Sequence, residues 1–148
     1  YDHRQEEKER LYHYGNREIW EILAEDPQNR VLIFGDQPEL LSFPCNAQSY
    51  TDIEGSGGNY LLTASTEALV EFLIYADMDY VYLGSGYVKP GTEAWEHVVT
   101  MIKDGYLTEM TYENGNALGV FKKEPSSVSD PDAVIAEFSV NYWPGEQQ

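Results

Sequence analysis

Two short sets of residues have the types and the placing to do chemistry. Gly35, Asp36 and Glu39 follow directly on the apolar run "RVLIF" (30–34), and Ser85, Gly86 and Lys89 follow on a second run, "YVYLG" (80–84). Glycine at the end of a strand lets a ligand approach the backbone, and a carboxylate, a hydroxyl and an ammonium group around it could hold a sugar or a cation. Ligands of open α/β sheets sit where the carboxyl ends of neighbouring strands meet, so the two sets form one site if the two runs are adjacent strands. Ordinary turn chemistry is the competing reading, because Gly, Asp and Ser are the residues that turns use.

Other chemistries fit less well. A dinucleotide cradle needs glycines spaced G-x-G-x-x-G straight after the strand, whereas "GDQPEL" has one glycine and then a proline. The glycine-rich "EGSGGN" (54–59) runs into "YLLTAS" rather than Lys-Ser or a helix start, so it fails as a phosphate cradle. Cys45 is the one cysteine and needs a nearby histidine to become a nucleophile, but His3 and His13 lie in a charged leading segment and His97 beside Trp95 on a helix. It reads as a small packed side chain. "GSG" (84–86) lacks the G-x-S-x-G frame of a nucleophile elbow. The histidines show no i, i+4 pairing and "DPD" (130–132) is not a calcium loop, so neither a metal nor any other cofactor is expected. Asp77 and Asp79 read as a solvated helix end. Trp20 and Trp95 fall near buried helix stripes, whereas Trp143, in the polar tail "NYWPGEQQ", is the better candidate for a contact surface.

The elements that must position these residues follow from periodicity. Asn16 can cap a helix over 16–26 with Ile19, Ile22 and Leu23 at helical spacing and Pro27 after its end. The run 30–35 is almost wholly apolar and β-branched, the pattern of an interior strand buried on both faces. "PELLSF" (38–43) starts a helical turn that Pro44 ends, and "NAQSYTD" (46–52) is a short edge strand. Ser65 caps a helix whose stripe is Leu69, Phe72, Leu73 and Ala76. "YVYLGS" repeats the first strand, and "TEAWEHVVTMIKDG" (92–105) is a helix presenting Trp95, Val98, Val99 and Ile102. Asn114-Gly115 joins two hairpin strands across 107–124. In "AVIAEFSVNYW" (133–143), Val134, Ala136, Phe138, Val140 and Tyr142 alternate with polar residues, which predicts a half-exposed strand. Strands alternating with helices and then an antiparallel piece predict a three-layer αβα sandwich, Rossmann-like, with a mixed sheet and antiparallel C-terminal strands.

A length of 148 residues with 42% hydrophobic and 14% aromatic residues suits one domain, here 16–148, preceded by a charged lead-in over 1–15. Nine basic against 26 acidic side chains give a net charge of −17, which argues against nucleic acid, since each phosphate contact needs a cation. Five of the nine cations lie in residues 1–30. No apolar run is long enough to span a bilayer, and residues 1–18 are too charged for a secretory signal. The start at Tyr1, without methionine and in a charged segment, leads to the expectation of a piece of something longer.

The order helix, "NRVLIFGD", loop, helix, "ADMDYVYLGSG", helix, hairpin resembles the soluble domain that follows the last membrane span in bacterial polytopic glycosyltransferases related to protein mannosyltransferases and aminoarabinose transferases. Val31 to Phe34, Asp79 and Tyr80 of "MDYVYL", and the closing "NALGVFKK" carry the resemblance, over about residues 10–123. It implies a place on the outer face of the bacterial cytoplasmic membrane, with the membrane-spanning part of the parent chain as partner and a glycan or lipid-linked sugar nearby. In that family the catalytic acids sit in loops between membrane spans, so no catalytic residue carries over to this chain. The implied function is that of a non-catalytic accessory domain contacting a glycan acceptor or a partner. The alternatives are a stand-alone soluble α/β enzyme or small-ligand-binding protein working at the Asp36 and Ser85 loops, and an acidic protein-interaction module.

Overall fold

The computed structural model describes residues 16–35, 43–54 and 60–143. Its elements are α1 (Arg17–Ala24), β1 (Arg30–Phe34), β2 (Asn46–Ser49), α2 (Tyr50–Glu54), a 3-10 turn (Tyr60–Thr63), α3 (Thr66–Tyr75), β3 (Tyr80–Leu83), α4 (Glu93–Lys103), β4 (Leu107–Glu113), β5 (Asn116–Phe121) and α5 (Pro131–Tyr142). The five strands make one mixed sheet in the order β2-β1-β3-β5-β4. The β2, β1 and β3 strands run parallel, and β5 is antiparallel to both β3 and β4. Helices flank the sheet as an α/β sandwich. The lead-in over 1–15 and the helical turn expected at 38–43, apart from Phe43, lie outside the described residues.

The interior strands are apolar for the reason their sequence suggests: both faces are covered. Along β1, Leu32 and Phe34 point into one core with Val81 and Leu83, while Val31 and Ile33 point into another with Tyr82 and Leu118. The larger core takes α3, α4 and α5 through Leu69, Leu73, Val98, Met101, Ile102, Phe138 and Tyr142. The smaller takes α1 through Ile19 and Leu23. Alternation of period two along a doubly covered strand thus splits its side chains between two layers of helix.

Local signals set the ends of the elements. Ser65 accepts from the Ala68 amide and Thr92 from the Trp95 amide, which caps α3 and α4. The β4–β5 turn puts Asn114 at φ 52° and Gly115 at φ 83°, the paired left-handed residues of a two-residue hairpin. Asp79 is more than a solvated helix end, because its carboxylate accepts from the Arg30 amide at 2.9 Å and ties the start of β3 to β1. Asp77 pairs with Lys123.

Three expectations are corrected. Residues 133–143 form helix, not strand. Asp130 accepts from the Ala133 amide as cap and Pro131 takes the first helical position. On this helix Phe138 and Tyr142, four apart, are buried, whereas Val140, assigned by the alternation to the buried face, is 56% exposed. The expected strand at 46–52 stops at Ser49, and Tyr50 begins a helix. Asn16 makes no side-chain cap on α1. The Glu113 carboxylate accepts from the Glu18 and Ile19 amides at 3.0 and 3.1 Å, and an anion there also suits the positive end of the helix dipole.

Candidate functional site

Because β1 pairs in parallel with β3, Phe34 opposite Leu83, the two sets of site residues begin side by side. From β1 the chain moves outward to β2, and from β3 the sheet continues to β5 on the other side, so the point between β1 and β3 is where the strand order reverses. That is the expected ligand crevice of such a sheet. The Gly84 amide donates to the Phe34 carbonyl at 2.8 Å, and Gly35 is buried beside it. Ser85 and Lys89 are exposed and Gly86 is half-buried. Asp36 and Glu39 lie outside the described residues.

Groups of the chain itself flank the β3 end of this crevice above and below the sheet. The Tyr142 hydroxyl, at the end of α5, donates to the Gly84 carbonyl and accepts from the Val88 amide at 3.1 Å. Trp143 follows, its ring edge 4.0 Å from where a Cβ on Gly86 would lie. Tyr87 shares a 2.6 Å hydrogen bond with Thr51. On the α1 side the Ser85 amide donates to Asn116 Oδ1 at 2.8 Å, Asn116 Nδ2 donates to Asn16 Oδ1 at 2.7 Å, and Asn16 Nδ2 donates to the Tyr82 hydroxyl at 2.9 Å. Asn16 is 3% and Tyr82 1% exposed, so this chain of amides satisfies groups that would be costly to bury alone. It ties the N-terminus of α1, the hairpin and the end of β3 together, and that task is what takes Asn16 away from capping.

Seen in this geometry the catalytic options narrow. Among the described residues no histidine or carboxylate hydrogen-bonds the Ser85 hydroxyl, and a serine without a base is a poor nucleophile. His97 is 5% exposed, with Nδ1 2.8 Å from the Thr66 hydroxyl and Nε2 3.0 Å from the Thr63 carbonyl, so both ring nitrogens are spent on joining α4 to the start of α3. Cys45 precedes β2 at the opposite end of the parallel strands. Burial, helped by the Asp79 charge, pushes its thiol up to about 11, away from the thiolate. No group of three metal-ligating side chains occurs among the described residues. Trp95 packs on Phe138 at 5.3 Å, as a core residue does. Trp143 is no open contact surface: it is half-buried against the larger core, and its indole nitrogen is buried without a hydrogen-bond partner.

Sequence reasoning missed Tyr142, Asn116 and Asn16 as residues of this crevice. A tyrosine four residues after a buried Phe138 on a helix was the available signal for the first. The asparagines gave none, because their partners are 31 to 100 residues away in the chain. No family model, curated protein or solved structure matches the chain.

Proposed function

We propose that the chain is a non-catalytic accessory domain of a membrane-bound glycosyltransferase-like protein, held on the outer face of the bacterial cytoplasmic membrane, where it contacts a glycan acceptor, a lipid-linked sugar or a partner protein. The observation that supports the non-catalytic part is the β3 side of the crevice, where Tyr142 bonds to Gly84 and Val88 and Trp143 lies by Gly86, beside a Ser85 hydroxyl with no base on it among the described residues. The setting rests on the sequence resemblance over about residues 10–123. Helix α5 lies beyond the stretch that carries the resemblance.

The reading frame that contains Tyr1 tests the setting. It should encode about eight or more apolar segments of membrane-spanning length, and a frame without them refutes it. The non-catalytic part is tested by Ser85→Ala in the full-length protein: sugar transfer should stay within about twofold of the parent, and a loss of about a hundredfold would assign catalysis to the crevice. A second reading, a small-ligand site in a stand-alone α/β protein, draws on the adjacency of Gly35 and Gly84 at the reversal of strand order. It predicts that a monosaccharide titration shifts the amide resonances of residues 84–88 in a saturable way; unmoved resonances exclude it.

A further inference from the structure

Along the edge strand β4, away from the crevice, a pocket of about 220 Å³ lies between the strand, α5 and the segment before it. Its floor is apolar, with Ile102 and Leu107 at 1% and 2% exposure and Met110 and Val134 beside them. Two carboxylates line its mouth. Glu109 sits at a bulge in β4 with φ 50°, a left-handed conformation that a non-glycine residue rarely takes, and Glu137 comes from α5. A second hollow of about 350 Å³, lined in part by Ser126, Ser127, Ser129 and Lys122, adjoins it across Thr108, Glu109 and Val128.

We propose that this pocket binds a primary alkylammonium group, the chemistry shared by the end of a lysine side chain and by a small alkylamine. The volume is below the ~300–1,000 Å³ of sites for drug-sized ligands, and so suits a side-chain-sized body. The apolar floor takes the methylenes and the two mouth carboxylates take the ammonium, the division of labour by which long cationic side chains bury their stems and keep their heads polar. Tyr112, which also lines the pocket, stays a neutral hydroxyl and a hydrogen-bond partner, because burial and the Glu137 charge both raise its pKa. An anion is repelled by the carboxylates, and a neutral ligand leaves them unused. Lys122 already reaches Glu109 at 3.2 Å with both side chains about half exposed, a weak surface pair that an incoming ammonium must displace. Lys122 is therefore an internal competitor. The carboxylates are exposed, so little desolvation opposes binding and little Coulombic gain drives it; a Kd on the order of 1 mM at low salt follows for a minimal ligand.

The inference does not depend on the accessory-domain reading. Its test is an amide-resolved NMR titration of the whole chain with n-butylammonium chloride, with n-butanol and sodium butyrate as neutral and anionic controls. Saturable shifts should appear at Met110, Val128 and Val134 with butylammonium and not with the controls. Glu137→Gln changes one exposed side chain and should weaken binding about threefold, while Lys122→Ala should strengthen it. N-acetyl-lysine methylamide separates the two sources of the group: tighter binding than butylammonium, using the second hollow, points to a lysine of a partner, and equal or weaker binding points to a free amine. Shifts produced as strongly by butanol, or spread over the acidic surface and unchanged by Glu137→Gln with a native spectrum, overturn the proposal.

Discussion

Replacing Tyr142 by phenylalanine removes one oxygen atom from a side chain that is 2% exposed and keeps its stacking on Phe138 at 5.4 Å, so it isolates the hydrogen bonds it makes at the end of β3. Two are lost, but their consequences differ. The Gly84 carbonyl still accepts from the Tyr87 amide at 3.1 Å, whereas the Val88 amide loses the Tyr142 oxygen and is left buried without an acceptor. An unsatisfied buried amide costs ~1–3 kcal/mol and the weakened carbonyl adds a fraction of that, so the substitution should destabilise by about 2 kcal/mol. With a urea m-value of ~1–3 kcal/mol/M for a small domain, the midpoint of unfolding should fall by roughly 1 M at unchanged m. Tyr87→Phe is the control, since its bond to Thr51 is exposed and should be worth less than ~1 kcal/mol. A Tyr142→Phe loss below ~0.5 kcal/mol, or one no larger than the control, refutes the view that Tyr142 clamps the end of β3.

Further consequences can be measured on the same protein. Glu113→Ala removes the acceptor of the Glu18 and Ile19 amides and should cost ~1–2 kcal/mol in urea unfolding, partly screened by salt; a neutral effect denies it the capping role. Gly115→Ala places a Cβ 2.7 Å from the Ser85 hydroxyl at φ 83°, whereas Gly91→Ala meets open space at φ 87°, so the first should destabilise more than the second by ~1 kcal/mol or more. Phe138→Ala should cost ~3–5 kcal/mol while Val140→Glu stays within ~0.5, and a large loss at both would restore the strand reading of residues 133–143, which buries them on one face. The Cys45 thiol, raised from 9.0 to about 11, should alkylate at pH 8 roughly a hundredfold more slowly than a free cysteine by mass spectrometry. Its contribution to stability is present in full below the unfolded value and is lost as pH rises through the window from 9.0 to about 11, because the unfolded chain gives up its proton first.

The parts of this fold that can be read from the chain are those whose cause is local. The apolar β-branched run 30–34, the Ser65 cap and the Asn114-Gly115 turn each carry their reason within a few residues, and each leads to the element found. The chain leaves the adjacency of β1 and β3, hence of Gly35 and Ser85, conditional, and the pairing of Phe34 with Leu83 supplies it. The last element misleads because apolar residues at 134, 136, 138, 140 and 142 satisfy period two while Val134, Phe138 and Tyr142 also satisfy the helical four-residue spacing; the Asp130-Pro131 start decides between them. Asn16 has the right type to cap, but the carboxylate of Glu113, 95 residues beyond Glu18, does so, and the Asn16 amide is drawn into the buried set with Tyr82 and Asn116. No spacing rule along the chain reports such a partner. The bond of Tyr142 to Gly84 belongs to the same class, since it spans 58 residues.

The proposed setting is a place beside a membrane enzyme on the outer face of the cytoplasmic membrane. The most direct measurement is antibody binding to this domain on intact spheroplasts of the cells that make it, together with fractionation of the same cells. Binding without permeabilisation, and antigen that pellets with the membrane, is the predicted result. Antigen confined to the soluble cytoplasmic fraction, reached only after permeabilisation, contradicts it.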